Sequence, residues 1–118
     1  ADGAAPCPAC QTQADAEARY LEALLALLVA DASCAEALEA SEGLCRRHTL
    51  AAAHSGRPGA EPLVIRSREI VTELIGQLDE VIRKEDYRFR EEPRTEAERT
   101  APARAIAWAA GQEGLTTP

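Results

Sequence analysis

Ile70-Val71-Thr72-Glu73-Leu74-Ile75-Gly76-Gln77-Leu78-Asp79-Glu80-Val81-Ile82 is the stretch that decides the fold class. Its Ile and Val content suits a strand, because β-branched side chains fit a pleated surface. Its order suits a helix. Ile70, Val71, Leu74, Ile75, Leu78, Val81 and Ile82 recur at steps of three and four, and a strand that long would be unusual. The spacing predicts one long helix from Pro62 to about Lys84, with Pro62 suited to its first turn.

Upstream lies the clearest break in the chain, His54-Ser55-Gly56-Arg57-Pro58-Gly59-Ala60. Before it, the pattern is again helical. Tyr20, Leu21, Leu24, Leu25 and Leu28 form an apolar stripe, while Asp15, Glu17, Arg19 and Glu22 take the other faces, predicting a helix from Gln13 to about Ala30. Asp31 or Ser33 can cap a short second helix to about Ala40, and Glu42-Gly43 ends it. Leu44-Cys45 opens a third, to about Ala53. Downstream, Glu85 to Arg94 is charged and reads as irregular. A last helix is predicted from Pro102 to Ala110, with Thr100 as cap and Gly111 as stop. The fold class is therefore all-α, a bundle of about five helices in a single domain (1–118), divided into an N-terminal half (1–54) and a C-terminal half (61–118).

Composition agrees. Ala and Leu dominate the 46% hydrophobic fraction, and both favour helices. Aromatics are only 3%, so the core should be thin and in need of a staple. The net charge of −7 argues against nucleic acid or an anionic membrane surface as partner, since both need a basic face. No run approaches the roughly 20 apolar residues of a membrane span. No basic segment followed by an apolar one opens the chain, so a cytoplasmic setting is expected. There, four cysteines read as metal ligands or reactive thiols rather than disulfides.

Their spacing favours metal. Cys7-Pro8-Ala9-Cys10 reads as a tight turn aiming two sulfurs at one ion. Cys45-Arg46-Arg47-His48 enters a helix, where positions i and i+3 share a face. The 34 residues between Cys10 and Cys45 suit a helical hairpin whose two ends meet, so one ion held by Cys7, Cys10, Cys45 and His48 would staple it. Zinc is the commonest ion for three sulfurs and one nitrogen, and an iron–sulfur cluster is chemically allowed. A thioredoxin-like reading lacks strands, and a c-type haem site would need His where Gln11 stands. Cys34 reads as a small buried hydrophobe, with replacement of His48 in an all-cysteine site or a redox thiol as the alternatives, and His54 reads as a loop residue.

Other chemistry is weak. There is no Gly-rich phosphate loop and no nucleophile elbow, and acidic runs such as Asp79-Glu80 usually face water. Asp86-Tyr87-Arg88-Phe89-Arg90 gathers two of the few aromatics with two arginines. Phe89 is expected to anchor inward, leaving Tyr87, Arg88 and Arg90 as a candidate contact for a protein partner.

The order Cys-Pro-x-Cys, Tyr-Leu-x-x-Leu-Leu (20–25), Gly-Leu-Cys-x-x-His (43–48), then Asp-Tyr-Arg-Phe-Arg before Glu-Glu-Pro resembles a family of small uncharacterised bacterial helical proteins, a domain of unknown function. The resemblance spans nearly the whole chain. It implies a helical fold and a metal site, and no activity.

Four protein ligands leave a zinc ion no open position, so the expectation is a non-enzymatic interaction or regulatory module with structural zinc and no catalytic residues. The alternatives are a thiol-based redox or metal sensor, or an iron–sulfur protein, on the same residues. The apolar residues on several faces of the long helix leave both a core and a homodimer seam open.

Overall fold

The computed structural model describes Ala5 and residues 7–111. Among these residues five α-helices follow one another: α1 (Pro8–Ala30), α2 (Ala32–Glu39), α3 (Arg46–Ser55), α4 (Ala60–Glu85) and α5 (Glu96–Ala110). A single 3-10 turn, Tyr87–Phe89, lies between α4 and α5, and the described residues contain no strand. The all-α class is as the sequence predicts. No helix among the described residues is long and apolar enough to cross a membrane.

Three helices begin earlier than predicted: α4 by only two residues, at Ala60 rather than Pro62, and α1 and α5 by more, each for a local reason. Helix α1 starts at Pro8, not Gln13. Pro8 has no N–H to lose at a first helical position, and Cys7 becomes the N-cap. Helix α5 starts at Glu96, not Pro102. Thr95 accepts the Glu98 N–H at 3.1 Å, and the Glu98 side chain returns to the Thr95 N–H at 3.2 Å, a reciprocal cap. Pro102 lies inside the helix, and the Thr100 hydroxyl donates back to the Glu96 carbonyl instead of capping. Elsewhere the caps are as read: Asp31 accepts the Ser33 N–H at 2.8 Å, and Gly111 stops α5.

The core is thin. Its buried cluster is Leu25, Leu28, Leu38, Ala52, Ala60 and Leu63, with Leu21, Leu24, Cys34 and Leu44 packed against it. It draws on α1, α2, α3 and α4 together, so the N- and C-terminal halves share one centre. Helix α2 folds back on α1, and α4 packs against both α3 and α5. The backbones of α1 and α4 meet tightly at Gly59, where a Cβ would fall 2.0 Å from the Leu25 carbonyl oxygen. The radius of gyration, 17.9 Å, exceeds the roughly 13.5 Å of a compact chain of this length.

Several predicted core positions face water. Tyr20 is 77% exposed, Ile75 54% and Ile82 70%. In their place Ser67 and Lys84 of α4 are buried. The long helix has more apolar width than its neighbours cover.

Candidate metal centre

Each predicted ligand pair occupies the same place in its helix. Cys7 is the N-cap of α1 and Cys10 its third residue; Cys45 is the N-cap of α3 and His48 its third. Both pairs thus sit where backbone N–H groups are unpaired and the helix dipole is positive, which favours thiolate. The Cys7 thiol is held below its usual pKa by the N–H of Cys10, then that of Ala9, then the Cys10 thiol, against a small opposing effect of burial. All four cysteines are free. Cys7 and Cys10 are exposed, whereas Cys34 and Cys45 are half-buried.

The second pair is assembled. Cys45 Sγ lies 3.2 Å from His48 Nδ1. Gly43, with φ +71°, turns the chain into this pair, and its Hα side faces Ile70 so closely that a Cβ would lie 2.9 Å from Ile70 Cδ1. The other edge of the imidazole points to α1, with His48 Nε2 3.5 Å from Glu17 Oε2. Arg47 Nη2 meets the second oxygen of the same carboxylate at 3.2 Å, and Gln13 Nε2 donates to it at 3.4 Å. Desolvation pushes the Glu17 carboxyl up, but Arg47, His48 and Gln13 outweigh it and hold the group below the usual range. By its sequence pattern Glu17 belongs only to the solvent-facing side of its helix. Its spacing from Cys10 was the available signal.

Cys7, Cys10, Ala14, Glu17, Leu21, Leu24 and Leu28 alternate at steps of three and four. They form one stripe along α1, so the sulfurs continue the face that packs onto α3. Cys10 nevertheless lies seven residues before Glu17, about 10 Å of helical rise. The two pairs stand apart: among the described residues, no three His, Cys, Asp or Glu side chains gather around one point. Residues 8–15 of α1 are exposed.

The remaining predicted residues are distributed as follows. Cys34 packs on the core, as read. His54 is exposed in the last turn of α3 rather than in a loop. Tyr87 is 79% exposed. Arg88 is bound by Asp86, Nη2 to Oδ2 at 2.8 Å, while Arg90 is exposed. Phe89 is half-buried between the guanidinium groups of Arg83 and Arg88, 4.8 and 5.3 Å from its ring centre.

Compared with protein-family models, with curated proteins and with solved structures, the chain matches none.

Proposed function

We propose that the chain is a non-enzymatic interaction or regulatory module stapled by one zinc ion on Cys7, Cys10, Cys45 and His48. The observation that carries this reading is the Cys45–His48 pair with its carboxylate behind it. A sulfur and a nitrogen bound to one tetrahedral zinc lie about 3.5 Å apart, given bond lengths of ~2.3 and ~2.0–2.1 Å. Cys45 Sγ and His48 Nδ1 are within a few tenths of that separation at 3.2 Å. A carboxylate on the far ring nitrogen is the usual companion of a metal-binding histidine. The first pair fits by its place on α1, on the stripe that faces α3. Its separation from the second requires the exposed first turns of α1 to move for all four donors to share an ion.

When bound, zinc would supply a double positive charge that offsets two of the three thiolate charges and would tie α1 to α3. Four protein donors fill its shell, so no water or substrate position is left. Free thiols suit a reducing, cytoplasmic setting. Tyr87 and Arg90, both exposed, are the side chains we assign to a protein partner; Arg88 belongs to that surface only in part, because Asp86 already neutralises it.

The test is metal content of the purified protein, with cobalt substitution to read the ligands. One tightly held zinc per chain, and sulfur-to-cobalt charge transfer on substitution, are expected. A protein that takes up neither ion overturns the reading.

A second reading has its own observation. Cys7 and Cys10, exposed and at the head of a helix, with the Cys7 thiol pKa lowered, also suit a dithiol that reacts with oxidants or disulfides. Formation of a Cys7–Cys10 disulfide at a glutathione-like potential, with no zinc released, would favour it over the metal.

A further inference from the structure

We propose that the outer stripe of α4 is a self-association surface, on which a second copy of this chain lays its own α4 in antiparallel order. The proposal stands on the exposed face of the long helix and involves neither the cysteines nor a metal.

Arg68, Val71, Ile75, Leu78, Ile82 and Glu85 follow one another along α4 at alternating steps of three and four. That is the spacing of a helix–helix seam, whose positions share one narrow face. Ile75 and Ile82 are more than half exposed, and Val71 and Leu78 between them are half-buried. Bulky apolar side chains lined up in water mark a surface that another molecule covers. The small core supplies the drive, since apolar area that one copy leaves in water is hidden by two.

The charges at the two ends of the stripe identify the occupant. Arg68 is exposed and makes no hydrogen bond or ion pair among the described residues. Glu85 is exposed, and Arg94 binds only its Oε1. A two-fold interface pairs one residue with another and the second with the first. With the axis between Gly76 and Gln77, Ile75 meets Leu78, Val71 meets Ile82, and Arg68 meets the unused oxygen of Glu85, each pairing occurring twice. Asp79, exposed on the flank, then lies opposite Thr72 rather than a second carboxylate. The stripe is thus complementary to its own reverse. A parallel copy would set Arg68 on Arg68 and Glu85 on Glu85, and like charges so placed disfavour it.

The test uses the full chain with reductant and a chelator present, so that neither disulfides nor ions link two copies. Sedimentation equilibrium, from low micromolar to several hundred micromolar chain, is expected to show a monomer–dimer equilibrium. Ile75→Asp and Ile82→Asp should each leave a monomer with parental helicity by circular dichroism. Ile106→Asp, at an equally exposed isoleucine of α5, should dimerise like the parent. Arg68→Glu and Glu85→Arg should each weaken the dimer by about tenfold, and the chain carrying both changes should recover the parental affinity. An equal mixture of the two single variants should associate more tightly than either alone. A parent that stays monomeric throughout overturns the proposal, whether or not another protein covers α4. So does a dimer that survives both isoleucine variants, because it lies on another face. A dimer lost in the isoleucine variants but unmoved by either charge reversal overturns the antiparallel pairing.

Discussion

Lys84 Nζ lies 2.8 Å from Glu98 Oε2 and 3.1 Å from Oε1, and both side chains are almost wholly out of water. The third donor position of Lys84 is used by the Pro93 carbonyl at 2.9 Å, and Glu98 also closes the cap of α5. A buried ammonium is tolerable only when its charge is paired and its protons are accepted. One ion pair therefore fixes the end of α4, the turn after it and the start of α5.

Removing one partner should cost more than removing both. Lys84→Met leaves a buried carboxylate unpaired, whereas Lys84→Met with Glu98→Leu leaves only the loss of a cap. The single variant should therefore melt below the double variant, and well below Glu80→Gln at the more exposed pair nearby. Thermal unfolding followed by circular dichroism orders the three. A single variant as stable as the parent would mean that the pair contributes nothing.

The same carboxylate should give the protein an acid limit. The Lys84 hydrogen bonds lower the Glu98 pKa; desolvation opposes them, while the Thr95 N–H and the Lys84 charge assist. A folded pKa below the unfolded value of about 4.3 contributes stability that is complete above that pH and lost as pH falls through the folded value. Glu17, Glu80, Glu85, Asp86 and Glu92 are shifted in the same direction by their basic or hydrogen-bonding neighbours. As far as these carboxylates govern it, stability should be level above about pH 5 and fall below about pH 4. Glu98→Gln should flatten that fall, as read by urea midpoints across the range.

Gly59 is required by contact rather than by backbone conformation. Its φ of −68° suits any residue, but a Cβ would lie 2.0 Å from the Leu25 carbonyl oxygen. Gly59→Ala should cost about 1–3 kcal/mol, as other forced overpacking does, by pushing α1 from α4. Gly76, where a Cβ meets nothing within 4 Å, is the matched control and should gain from the change to Ala. Denaturant midpoints of the two variants should move in opposite directions.

Among the cysteines, Cys45→Ser should abolish stoichiometric zinc, while Cys34→Ser should retain it. Cys34 only packs on the core. Metal binding in small sites supplies about 10–16 kcal/mol, so loss of the ion should also lower the melting temperature of zinc-loaded protein steeply. Elemental analysis with circular dichroism reads both, and equal zinc in the two variants would remove Cys45 from the ligand set.

Tyr87 and Phe89 should separate. Tyr87→Ala should stay within about 0.5 kcal/mol of the parent, as surface changes do. Phe89→Ala loses two guanidinium contacts to its ring, each about 0.5–1 kcal/mol at a partly exposed site, so about 1–2 kcal/mol in all. That is less than a fully buried aromatic would cost, in keeping with its half-buried position.

The helical class was legible because Leu, Ile and Val recur at helical steps in α1 and α4, and Gly and Pro mark the break between α3 and α4. Helix starts were harder, because proline has two meanings. By sequence Pro8 suits a turn and Pro102 a first helical residue, whereas the caps at Cys7 and Thr95 set those ends. Thr95-Glu96-Ala97-Glu98 carries the capping-box signature for the second. The burial of Lys84 could not be read locally, since its partner lies 14 residues on. In the site, each pair was legible from its spacing of three. The meeting of Glu17 with His48 depends on the register between two helices, which the spacing within either does not contain.

The small, alanine-bearing core has a calorimetric consequence. Heat capacity on unfolding rises with the apolar surface newly exposed to water, and so does the sensitivity to urea. With Ala52, Ala60 and Ala101 among the eight buried hydrophobic residues of the described part, this core has little such surface to expose. Its stability should therefore vary gently with temperature, with a shallow maximum and a broad melting transition.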